Sequence, residues 1–156
     1  MQVFLSYTSN KDDFGEVELF RRRLQSELRN FDPTATVFQD SAAILPGQSY
    51  PRRLEEELGK SDVLLVHLSP AWLKSEWCRR EYSIFIADPL KLKRIVPLMV
   101  VSTPELISTS QDKIAAELSL IEYIDIRELR HDSWDSEKKR KYLAKLANAI
   151  NNLVST

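Results

Sequence analysis

Asp62-Val63-Leu64-Leu65-Val66-His67-Leu68 is the most apolar run of this chain, and shorter runs of the same kind recur between stretches of helical periodicity. A strand that is apolar on both faces has to be covered on both. Such strands alternating with helices call for a parallel sheet with helices packed on each side. Val3-Phe4-Leu5 reads as a first buried strand that runs straight into the polar loop Ser6-Tyr7-Thr8-Ser9-Asn10. Val17, Phe20, Leu24 and Leu28 then recur at spacings of three and four, with Arg21-Arg22-Arg23 and Glu27 between them, which predicts an amphipathic helix stopped by Asp32-Pro33. Thr36-Val37-Phe38 supplies a second strand, a loop from Asp40 to Ser49 follows, and a second helix spans about 50–58, with Pro51 in its first turn and Gly59 near its end. After the 62–68 strand, Ser69-Pro70 opens a helical region over about 71–87 with a break near Ser75. Residues 94–101 make a fourth strand, in which Pro97 points to an edge or a bulge. Residues 123–126 make a weaker fifth, and 136–154 a closing helix with Leu143, Leu146, Ala147, Ile150 and Leu153 on its core face. The architecture after Val101 is otherwise undefined by these patterns.

The expected fold is therefore α/β, a flavodoxin-like three-layer sandwich around a five-stranded parallel sheet of order 2-1-3-4-5. In that topology ligands bind in the crevice beyond the carboxyl ends of strands 1 and 3. Ser6 to Ser9 and Ser69 to Glu81 are delivered there.

The chain's 156 residues suit one domain, of a size that buries roughly 68–70% of its unfolded surface. A net charge of −1 argues against a general nucleic-acid or anionic-membrane binder. One cysteine forms no internal disulfide, and Cys78, His67 and His131 do not have the spacing of a metal site. Three glycines leave no dinucleotide fingerprint and no phosphate loop. No apolar run approaches the roughly 20 residues of a membrane span, and Met1-Gln2-Val3-Phe4-Leu5 is too short and uncharged to read as a signal peptide. A cytoplasmic protein without metal or resident cofactor is expected.

Trp77 and Glu81 are four apart and share a helix face. A stacking plane beside an anion suits departure of an aromatic base from a sugar, because a carboxylate stabilises the oxocarbenium-like transition state. A cationic pyridinium leaving group, as in NAD+, needs no general acid, so one carboxylate suffices. Plainer readings stand beside this one. Glu81 could be a solvated carboxylate or the partner of Arg79 or Arg80; Trp77 could cap the core edge; Trp72 is expected to pack against the sheet. Cys78 reads as a small buried hydrophobe and His67 as a satisfied core histidine. Tyr7 and Asp40 could serve backbone bonding as well as a pocket, and the basic runs at 21–23 and 138–141 read as solvated faces.

Val3-Phe4-Leu5-Ser6-Tyr7, with Lys11-Asp12 after it, resembles the first box of Toll/interleukin-1 receptor (TIR) domains. Val37-Phe38-Gln39-Asp40 with Pro46-Gly47 resembles the second box and its BB loop. Ser61 to Pro70 resembles the third strand, and Ser75-Glu76-Trp77-Cys78-Arg79-Arg80-Glu81 the S-x-W-C-x-x-E stretch of plant and bacterial members. The resemblance spans roughly Val3 to Val101. It implies that Glu81 is the catalytic residue of an NAD+ glycohydrolase or ADP-ribose cyclase, with Tyr7, Thr8, Asp40 and Trp77 at substrate-pocket positions and NAD+ as substrate, not coenzyme. It further implies a homotypic TIR–TIR assembly through the BB loop, here including Ile44, Leu45, Pro46 and Gly47, and an antiviral or immune role. Gln39 stands where the second box often has Arg, five residues separate Asp40 from Pro46, and a Phe-Trp third box is absent. These departures weaken the case for a receptor-type adaptor.

Residues 1–156 are expected to form a single TIR domain, cut from a longer protein or paired with a sensor outside this chain. The rival expectations are a TIR scaffold without catalysis and a nucleoside deoxyribosyltransferase-like enzyme, which assays of NAD+ against free nucleosides would separate.

Overall fold

The computed structural model describes residues 1–8, 14–39 and 50–156. The expectations for Asp40 and for Ile44, Leu45, Pro46 and Gly47 of the BB loop lie outside the described residues. The elements run β1 (Gln2–Ser6), α1 (Phe14–Leu28), β2 (Thr36–Gln39), α2 (Tyr50–Lys60), β3 (Val63–Leu68), α3 (Pro70–Lys74), α4 (Glu76–Ile86), β4 (Ile95–Met99), α5 (Lys113–Ser119), β5 (Ile124–Asp125) and α6 (Glu137–Ser155). The strands form one parallel sheet of order β2-β1-β3-β4-β5, as expected.

Strand alternation splits the core into two layers. Val3 and Leu5 of β1, Val63 and Leu65 of β3, and Val96 and Leu98 of β4 face α1 and α6, where they meet Phe20, Leu24, Leu143 and Ile150. Phe4, Leu64, Val66, Leu68, Ile95 and Met99 face the other way, against Leu54 and Leu58 of α2, Trp72 of α3, Tyr82 and Phe85 of α4, and Leu118 of α5. This two-sided covering is what near-continuous apolar strands require.

The helical stretch expected over 71–87 is broken at Ser75, which ends α3 through its N–H to the Trp72 carbonyl and starts α4 by accepting from the Cys78 N–H. One residue thus caps two helices and sets the direction of α4. Helix α5 was not anticipated. Asp112 caps it, with its carboxylate accepting from the N–H groups of Ile114 and Ala115, and the same carboxylate takes both terminal nitrogens of Arg79 at 2.7 and 3.0 Å. Hydrogen bonding from Arg79 holds the Asp112 carboxyl below its ordinary range. Asp112→Ala is accordingly expected to cost about 1–2 kcal/mol through the lost cap, read by urea denaturation near neutral pH. A carboxyl lowered in the folded state stabilises fully above its unfolded pKa of about 3.9 and less as pH falls through its folded value. The difference between the two proteins should therefore shrink on acidification below that point.

Pro97 sits where its missing N–H has no ladder partner. The N–H of Val100 and the carbonyl of Arg94 both point to β3, so by alternation the Pro97 nitrogen points outward, and β5 pairs only with Leu98 and Met99. At the opposite edge, the Val37 N–H of β2 is taken by the Gln25 side chain at 3.0 Å.

Candidate functional site

Ser6 ends β1 on the face that carries Phe4, and α4 crosses that face so that Glu81 lies against it. The Ser6 hydroxyl is 3.5 Å from Glu81 Oε1, at the long end of hydrogen-bond reach. It also accepts from the indole N–H of Trp72 at 3.0 Å. Ser6, Trp72 and Glu81 are each 0% exposed. A buried carboxylate is costly unless polar groups are aimed at it, and the indole fixes the serine oxygen that faces Glu81. Trp72 does pack in the core, edge-on to Tyr82 at 6.2 Å, and holds the serine as well. Burial, with the Glu117 carboxylate to which its hydroxyl donates at 2.8 Å, pushes the Tyr82 phenol well above its usual range and keeps it neutral.

Trp77 lies one helical turn before Glu81, half-buried on the same core layer, with the Arg80 guanidinium 5.9 Å from its ring centroid. The neighbouring arginines are directed elsewhere: Arg79 to Asp112 at 2.7 Å and Arg80 towards Glu55 at 3.9 Å. Cys78 is buried, as expected of a small hydrophobe.

Tyr7 follows Ser6 but turns to the other face of the sheet, among the residues packed against α1 and α6. Its hydroxyl accepts from the Gln39 side-chain N–H at 2.9 Å. Thr8 also lies on that side. The structure thus brings Glu81 and Trp77 onto one helix with Ser6 and Trp72, and carries Tyr7 and Thr8 to the opposite layer.

On that opposite layer a cleft of about 440 Å³ opens beyond the carboxyl ends of the strands, lined by Thr8, His67, Ser69 and Lys139 among others. This cleft lies at the crevice position implied by the strand order; Thr8 and Ser69 are in its wall, and Tyr7, Trp77 and Glu81 are not among its lining residues. His67 departs from the core histidine expected of it: it is half-buried and lines this cleft. Lys139 departs from the solvated face expected of its basic run, being 3% exposed, with its ammonium 4.4 Å from the Trp134 ring centroid. Burial holds that ammonium below the ordinary lysine value, opposed by the carboxylates of Glu16 and Asp132. Arg21 and Arg23 of the other basic run meet Glu18 and Asp135.

Among the described residues no cluster of His, Cys, Asp and Glu could hold a metal ion, and no helix is long and apolar enough to cross a membrane.

A family model described as TIR domain matches residues 3–146. Among solved structures, the chain is similar to the TIR domains of the activated Roq1 resistosome directly recognizing the pathogen effector XopQ. The TM-score is 0.52 at 18% identity, over 99% of this chain and 95% of that one. No curated protein matches.

Proposed function

Since the chain belongs to the TIR domain family, we propose that it cleaves the nicotinamide–ribosyl bond of NAD+, releasing nicotinamide and ADP-ribose or a cyclised isomer. Glu81 is the residue that carries this reading, held by Ser6 at the carboxyl end of β1 with Trp77 one turn away. As nicotinamide leaves, positive charge develops on the ribose carbon. A carboxylate whose orientation is already fixed by Ser6 and Trp72 stabilises that charge with little reorganisation. Trp77 offers a plane for the departing ring, Asp40 would hold the remainder of the substrate, and NAD+ enters as substrate with no resident cofactor; Tyr7 and Thr8, which the resemblance puts in the pocket, lie across the sheet from Glu81 and are given no part in this reading.

Full burial of Glu81 means that a ligand reaches it only after the surrounding side chains move. A TIR–TIR contact that favours the opened arrangement would supply that movement by mass action. This fits a domain that functions as an immune effector in an assembly, as the Roq1 TIR domains belong to a resistosome, with its sensor outside this chain. The expected signature is concentration dependence. Nicotinamide and ADP-ribose products, separated by chromatography, should form with a specific activity that rises about tenfold when the protein is concentrated or clustered. The same burial favours a second reading, a TIR–TIR scaffold without catalysis, which NAD+ left intact at every concentration would support.

A further inference from the structure

We infer that the cleft between α1, α6 and the carboxyl ends of β1, β3 and β4 binds a small phosphate monoester of a sugar or nucleoside, with Lys139 and Arg130 gripping the phosphate. The cleft lies across the sheet from Glu81, so it is a second site and does not rest on NAD+ cleavage.

The observation that carries this is Lys139. An ammonium has three donors, yet among the described residues Lys139 makes one hydrogen bond, 3.5 Å long, to the Arg130 carbonyl. Beyond that it has the Trp134 ring and the charges of the Glu16 and Asp132 carboxylates. A buried ammonium with so few acceptors is costly, and an anion in the adjoining cleft would supply the acceptors it lacks.

Three further features narrow the ligand. The exposed guanidinium of Arg130 borders the same cleft and can take two phosphate oxygens at once. Ser69 accepts the Trp72 backbone N–H at 3.1 Å, and its hydroxyl proton can be donated to a ligand, as can that of Thr8. Glu16 also lines the cleft. Its carboxylate would repel a second anionic group but accept hydroxyls, which selects a phosphate carried on a polyol. A volume of about 440 Å³ falls in the range of small-molecule sites.

The test is titration of the isotope-labelled protein with ribose 5-phosphate, followed by backbone amide NMR, with ribose as the neutral control. Saturable shifts are expected at Ser69, Ala71, Val101 and Arg130, and none with ribose. Lys139→Met keeps the side-chain stem on Trp134 and should weaken binding about tenfold or more. Arg130→Gln, at an exposed position where folding is not at risk, should also weaken it severalfold. Glu81→Gln should leave it unchanged. The inference is overturned if the unmodified protein shows no saturable shift, if ribose binds as well as its phosphate, or if Arg130→Gln and a folded Lys139→Met both bind normally. Loss of binding in Glu81→Gln with retention in Arg130→Gln would assign the ligand to the Glu81 side and overturn it as well, whereas failure of NAD+ cleavage alone leaves it standing.

Discussion

Glu81→Gln is expected to abolish NAD+ cleavage and leave a folded domain. The substitution keeps the side chain's size and an oxygen that can face the Ser6 hydroxyl, removes the negative charge and turns the other oxygen into an amide N–H donor. If that charge stabilises the oxocarbenium-like transition state, its loss should lower nicotinamide release by about 10²–10³-fold or more. Stability should move little or even rise, because Glu81 is 0% exposed and an amide costs less to bury than a carboxylate. The pairing of lost turnover with an unchanged melting temperature separates a chemical role from a structural one. A folded Glu81→Gln domain consuming NAD+ at the normal rate would rule out this mechanism.

The largest effect on stability is expected at Trp72. It heads the fully buried side chains by volume and sits in the layer formed with Tyr82, Phe85 and Leu118. Trp72→Ala should cost about 3–5 kcal/mol, the range for large aromatic truncations in cores, a loss comparable with the whole stability of many domains. Trp72→Phe is the more informative change, since it keeps much of the volume and removes the N–H that donates to Ser6 at 3.0 Å. The expectation is a smaller stability loss with a disproportionate loss of turnover, because Ser6 would no longer be fixed against Glu81. Equal activity per folded molecule in Trp72→Phe would show that Ser6 needs no such anchor.

The sheet was legible because its central strands β1, β3 and β4 are apolar on both faces, a pattern with few other solutions, and the break at Ser75 because a serine can cap a helix start. Helix α5 escaped because it is only seven residues long, too short to establish a period, although Asp112 ahead of Ile114, Ala115 and Leu118 was a usable start signal. At the site, Glu81 and Trp77 could be paired because four residues is a local spacing. Ser6 and Trp72 could not be joined to Glu81 in the same way, since the contacts span 75 and 66 residues and depend on the angle at which α4 leaves Ser75. Lys139 was legible in principle. It precedes Leu143 by four and Leu146 by seven on the buried face of α6, a position that its cationic neighbours at 138, 140 and 141 disguise.

The two outer margins of the sheet have a bearing on crowding. On β2 the outward Val37 N–H is already taken by Gln25, and on β4 Pro97 has no outward N–H to offer beyond the two-residue reach of β5. An incoming strand therefore finds few donors along either margin. Any domain held at high local concentration is exposed to runaway stacking into insoluble fibres. With its margins blunted in this way, the sheet can tolerate high local concentration and leave other surfaces to mediate reversible contact.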